Sequence, residues 1–186
     1  MKLQVGFIGL LLAAGCAVAQ DTRGYVFLGA APNNGSSTGT TTFGILPPRT
    51  VEVAPTNNSY TVAAGLEARF SGARGVFGAG LDLAGIVPGT GKVFSGTIGT
   101  VSPNVYLHWP WDDFRSAPLD VYATGGYTAA FRDFTANGFN AGGGLVYWFR
   151  PTLGLAVEAR VVKLFGTLPV SAASQYYQIR FGLSFR

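Results

Sequence analysis

The residues able to do chemistry are few in this chain, and each lacks the companions its reaction would need. The one histidine, His108, stands in the run His108-Trp109-Pro110. A metal site needs further ligands at suitable positions, and a triad needs a nucleophile and an orienting acid. No second histidine exists, and the one cysteine, Cys16, sits in the N-terminal apolar run. His108 therefore reads as a hydrogen bonder on the polar register of its segment. Pro88-Gly89-Thr90-Gly91-Lys92-Val93 suggests a phosphate loop but fails twice. Ile86 occupies the first glycine position, and Val93 replaces the hydroxyl that would hold Mg²⁺. Gly142-Gly143-Gly144 is followed by no helical pattern, so it is not a dinucleotide fingerprint. Asp112-Asp113, beside Trp111, reads as a solvated pair. The expectation is a non-enzyme with no catalytic residue, no metal site and no cofactor.

One constellation remains. Glu67, Asp82 and Glu158 are acidic, Arg69, Arg160 and Arg180 are basic, and all six fall on the polar parity of segments that alternate with period two. In Leu153–Phe165, Glu158 and Arg160 share a face with Gly154 and Ala156, opposite Leu153, Leu155, Val157, Ala159 and Val161. In Ser59–Phe70, Glu67 and Arg69 lie opposite Tyr60, Val62, Ala64 and Leu66. In Tyr177–Arg186, Gln178, Arg180, Gly182 and Ser184 oppose Tyr177, Ile179, Phe181, Leu183 and Phe185. Period two means strand. Such a strand suits a soluble sandwich, with its polar face in water, or a membrane barrel, with its apolar face in lipid and its polar face lining the lumen.

The N-terminus separates these. Met1–Gln20 has a basic Lys2, an apolar stretch Val5–Ala14 too short to span as a mature helix, and a small-x-small site at Ala17-Val18-Ala19. That is the form of a cleavable signal peptide, residues 1–19, leaving residues 20–186 as one exported domain. Ala14-Gly15-Cys16 offers an alternative lipoprotein-type site, with Ala13 where a larger aliphatic residue is usual. Cleavage after Ala19 removes Cys16 and leaves a chain without disulfides. No second long apolar run exists, which excludes a helical membrane protein. The net charge of +4 is spread without a Lys/Arg cluster, which argues against nucleic acid. A soluble secreted β-sandwich or lipocalin-like binder is the rival reading.

Eight strands follow from the alternation: Arg23–Ala31, Ser59–Phe70, Gly75–Val87, Thr97–Trp109, Leu119–Arg132, Phe139–Phe149, Leu153–Phe165 and Tyr176–Arg186. Each can cross a bilayer when tilted. The fold expected is an all-β, eight-stranded antiparallel up-and-down transmembrane barrel. Tight connections at Ser71–Arg74 and Arg150–Thr152 alternate with longer ones at Ala31–Asn58, Pro88–Gly96 and Gly166–Gln175, with Asp133–Gly138 short. Short periplasmic turns and longer outer loops are the expected asymmetry. Ala31–Asn58 is expected to be an irregular loop, because it lacks alternation. Phe70, Trp109, Trp111, Tyr147, Trp148 and Phe149 are expected in one interfacial girdle, where an apolar ring body meets lipid and a polar tip meets water. Lys163 lies on the lipid-facing register, near the strand end, where an ammonium can snorkel to the headgroups. The six inward charges are expected to neutralise one another in a plug, because eight strands enclose an interior that side chains fill. A charged pore lining is the alternative.

The stretch Gly142-Gly143-Gly144-Leu145-Val146-Tyr147-Trp148-Phe149, the Arg150-Pro151 turn and Leu153–Arg160 resemble the OmpA-like outer-membrane β-barrels, and the likeness extends over residues 20–186. The resemblance implies a bacterial outer-membrane location and no enzymatic activity, with a structural or surface-interaction role. It implies contact with outer-membrane lipids and lipopolysaccharide, passage through the barrel assembly machinery and a monomeric state. The ending Phe181-Gly182-Leu183-Ser184-Phe185-Arg186 looks like the signal that machinery reads, carried by Phe181, Leu183 and Phe185, although Arg186 follows the aromatic residue. Some eight-stranded barrels are lipid A deacylases with a His-x-Ser pair, which His108-Trp109-Pro110 lacks. A narrow channel for small solutes is the other alternative.

Overall fold

Alternation decides which way each side chain faces, and the faces are inverted relative to a water-soluble protein. The charged parity is interior: Glu67, Asp82, Glu158, Arg69, Arg160 and Arg180 are all buried. The apolar parity is exterior: Leu66 is 67% exposed and Phe181 58%, with Leu155, Ile179 and Leu183 also exposed. A sheet that hides charge and presents Leu, Ile and Phe is matched to lipid as its solvent. The computed structural model describes residues 21–31, 37–41, 49–53, 59–70, 77–87, 97–109, 117–131, 135–165 and 175–186, of which Asp21, 37–41 and 49–53 as backbone only. The expected signal peptide, Cys16 and Trp111 lie outside the described residues.

Among the described residues there are ten strands: β1 (Asp21–Ala31), β2 (Ser37–Thr41), β3 (Arg49–Val53), β4 (Ser59–Phe70), β5 (Phe77–Val87), β6 (Ile98–Trp109), β7 (Leu119–Phe131), β8 (Thr135–Arg150), β9 (Leu153–Phe165) and β10 (Gln175–Phe185). Eight of them close a barrel in the order β1-β10-β9-β8-β7-β6-β5-β4. Each pairs antiparallel with its neighbours, and β1 meets β4 directly from Asp21↔Arg69 to Ala31↔Ser59. Closure satisfies every edge, which a sheet in lipid requires. No helix among the described residues is long and apolar enough to span a membrane.

Three expectations are corrected. The Ala31–Asn58 connection is not wholly irregular, since β2 and β3 form a separate antiparallel hairpin from Ser37↔Val53 to Thr41↔Arg49. Its Thr- and Val-containing segments have the composition of strands, although they are too short for a convincing alternation. Second, Thr135–Gly138 belongs to β8 and pairs with Phe131–Thr128, so the β7–β8 connection is tighter than expected. Third, Trp148 does not join the exterior girdle. It is buried, in one cluster with Tyr25, Phe27, Tyr106, Tyr122 and Val146. The register shifts between Trp148 and Arg150, where Trp148↔Gly154 is followed by Arg150↔Leu153. Trp148 keeps the inward parity of Asn140 and Val146, and Phe149 is the extra residue of the bulge that follows it, which leaves both Phe149 and Arg150 facing out. Gly154 supplies the space, because a Cβ on it would collide with the Trp148 ring and Val146.

The interior is layered along the barrel axis. Charged and aromatic side chains fill the part toward the Asp21 end. The opposite part holds an apolar cluster of Ile86, Ala130, Ala136, Val162, Leu164 and Tyr176. Between them Ser102 Oγ and Thr128 Oγ1 lie 2.9 Å apart, and Asn140 Nδ2 donates to Thr128 Oγ1 at 3.0 Å. The lumen is therefore not uniformly polar, as the alternation of charges alone suggests.

Candidate functional site: the charged barrel interior

The interior charges form two closed circuits. In the first, Glu67 and Arg69 are two residues apart on β4 and face inward together. Arg69 Nε donates to Glu67 Oε1 at 3.0 Å and Arg69 Nη2 to Asp120 Oδ2 at 2.7 Å. His108 on β6 completes the circuit: Nδ1 lies 2.8 Å from Asp120 Oδ1, and Nε2 lies 2.6 Å from Glu67 Oε1. Both ring nitrogens thus face carboxylate oxygens, which two N–H donors of an imidazolium satisfy together. Charges then alternate in sign around the circuit.

The second circuit alternates too. Glu158 and Arg160 are neighbours on the inward face of β9, with Arg160 Nε donating to Glu158 Oε1 at 2.8 Å. Arg180 lies across the ladder from Glu158 and binds it through Nη2. Arg180 Nη1 donates to both oxygens of Asp82 at 3.1 Å, and Arg160 Nη1 lies 3.6 Å from Asp82 Oδ1. Each arginine sits between two acids and each acid between two arginines. This arrangement keeps Arg160 and Arg180 from facing one another unscreened.

Arg23 and three tyrosines join the circuits. Arg23 Nη1 reaches Glu67 Oε2 at 3.3 Å, Nη2 reaches the Tyr122 hydroxyl at 3.5 Å and Nε reaches Ser184 Oγ at 3.3 Å. The guanidinium also lies 4.7 Å from the Tyr122 ring centroid, a cation–π distance. Tyr122 in turn donates to Glu158 Oε2 at 2.9 Å. Tyr25 donates to Asp82 Oδ2 at 3.1 Å and lies 2.9 Å from the Tyr106 hydroxyl. Small residues make room for these side chains: a Cβ on Gly65 would strike Tyr25, and one on Gly144 would strike Tyr122. Eight strands leave an interior just wide enough for side chains, and glycine sets where the large ones fit.

The structure brings all six charges singled out from sequence into this network. It adds Arg23, Asp120, His108 and three tyrosines that the sequence reading left out of it. Arg23 and Asp120 lie near the starts of their strands on the same parity as Tyr25 and Tyr122, so parity alone places them inside. Among the described residues the buried set is four arginines, four carboxylates and His108. Phe181, Leu183 and Phe185 all face outward on β10. Of the expected girdle, Trp109, Tyr147 and Phe149 are exposed and Phe70 is half-buried, at the end where β1 begins and β10 ends.

No family model matches the sequence, and no curated protein does. Solved structures match along almost the whole chain. Neisserial surface protein A superposes with a TM-score of 0.60 at 8% identity, covering 88% of this chain and 96% of that one. The fold is that of the small outer-membrane β-barrels. The N-terminal β-barrel domain of Pseudomonas aeruginosa OprF matches with a TM-score of 0.50 at 11% identity, covering 90% and 98%. A de novo designed transmembrane β-barrel matches with a TM-score of 0.52 at 13% identity, covering 90% and 98%. At these identities the likeness extends to the fold alone.

Proposed function

We propose that this protein is a non-enzymatic barrel of the bacterial outer membrane with a structural or surface-interaction role, its lumen closed by the interior network. One observation carries the reading. The section of the barrel that would have to conduct is occupied by two joined ion-pair circuits, Arg69–Glu67–His108–Asp120 and Arg160–Glu158–Arg180–Asp82. The ends joined by 71–76, 110–118 and 151–152 face the periplasm, and the hairpin-bearing 32–58 connection faces outside, because short turns on the inner side and longer loops outside are the usual asymmetry. The exposed apolar exterior meets outer-membrane lipid, and Phe181, Leu183 and Phe185 offer the assembly machinery an outward apolar edge.

The experiment is fractionation of expressing cells, followed by comparison of heated and unheated samples on a gel. Outer-membrane recovery with a heat-modifiable band supports the reading. Recovery in the soluble fraction, as for a lipocalin-like binder, overturns it. A lipid A mass spectrum that changes on expression would replace the non-enzymatic role with a lipid-modifying one. A narrow channel is the second reading. Arg160 Nη2 and Arg180 Nε meet no acceptor among the described residues, as donors along a hydrated path would.

A further inference from the structure

On the outward parity of the barrel strands, away from the β8–β9 turn with its Arg150, the described residues carry a single charge, Lys163. It is exposed on β9, and its ladder partners are Phe139 on β8 and Gln175 on β10. Its Nζ lies 5.9 Å from the Phe165 ring centroid, and no carboxylate pairs with it among the described residues. The rings around it are organised. Phe139 packs edge-on against Tyr127 at 6.2 Å and against Phe165 at 5.8 Å between centroids. Beside them, Gln175 Nε2 donates to the Tyr177 hydroxyl at 2.8 Å. Tyr127, Phe139, Phe165 and Tyr177 are all exposed.

Depth fixes what can meet this cation. Lys163 is eight residues beyond Leu155 on the same outward face. At about 3.3 Å per residue and a strand tilt of about 40°, that is about 20 Å along the barrel axis. An apolar band of about 25 Å therefore ends close to Lys163, at the level of lipid phosphates. A lone ammonium among rings at that level gains from an anion that arrives with its own acyl chains.

We propose that Lys163, with Gln175, Tyr177 and the Tyr127–Phe139–Phe165 ring cluster, forms a binding site for a phosphorylated glycolipid of the outer leaflet. The ammonium takes the phosphate. The amide and phenol of Gln175 and Tyr177 meet the sugar, and the rings pack against the acyl chains. The site lies at the barrel end that bears the 32–58 connection. It rests on the outer-membrane reading above.

The test is native mass spectrometry of the detergent-purified barrel titrated with bisphosphorylated lipid A and, separately, with phosphatidylglycerol. Folding of each variant is checked by heat-modifiability. The expected result is retention of lipid A over phosphatidylglycerol. Lys163→Gln should weaken lipid A binding by about fivefold, the effect of one basic side chain at an anionic lipid surface, while Lys163→Arg should retain it. Undiminished lipid A binding by Lys163→Gln would overturn the site, as would equal binding of phosphatidylglycerol. Failure of the wild-type barrel to retain lipid A would overturn the site alone, whereas recovery of the protein in the soluble fraction would overturn the membrane reading and this site with it.

Discussion

A buried arginine is only as stable as the acids that face it, and the interior network ranks its members by that rule. Arg180 holds both Asp82 and Glu158, and its removal leaves Arg160 alone to serve two carboxylates. Arg180→Met should therefore lower unfolding free energy in urea titrations from lipid vesicles by about 3–5 kcal/mol, the cost of breaking a buried pair. His108 also bridges two acids, yet each keeps an arginine without it: Glu67 retains Arg23 and Arg69, and Asp120 retains Arg69. His108→Leu should cost less, about 1–3 kcal/mol for hydrogen bonds left unmade. Equal losses in the two variants would mean that the circuits do not share charge as drawn.

At the scale of strands, alternation made most of the barrel legible, because a one-residue slip inverts every side chain. Ser59–Phe70 and Leu153–Phe165 match their sequence-derived limits residue for residue. Alternation also places Trp148 inside, on the parity of Asn140 and Val146, against its expected place in the girdle. The period breaks beyond Trp148, at the Trp148/Arg150 bulge, where Phe149 and Arg150 both face out, and a bulge leaves no mark on composition. Arg23 and Asp120 were legible in parity but went uncounted beside the aromatic residues that share their face. Ion-pair partners across the barrel were not legible, since which strands face one another depends on the closed ladder. Two predictions belong to elements. Deleting Gly35–Thr42 removes β2 and should leave a folded barrel, because β1 and β4 pair without it. A deletion that abolishes the heat-modifiable band would contradict this. Phe185 is the last outward residue of β10 and pairs with both Gly24 and Leu153. Phe185→Ala should lower the folded yield in the outer membrane more than Phe181→Ala, and equal yields in quantitative fractionation would argue against a terminal recognition role.

For the whole molecule, an inverted polarity and an interior filled by paired charges support the proposal of a barrel that lipid surrounds and ions do not cross. The exterior needs no charge except at the rims, and the interior tolerates charge only because it is paired. An enclosed cation left without its acid costs several kcal/mol, so stability and closure depend on the same contacts. Current through the lumen tests this most directly. Wild-type protein inserted in a planar bilayer should show no steady conductance steps, and Arg160→Ala, which opens the Glu158–Arg180–Asp82 circuit, should be both less stable and measurably conducting. Steady wild-type conductance, with the variant unchanged in both current and stability, would contradict the closed lumen and put a channel in its place.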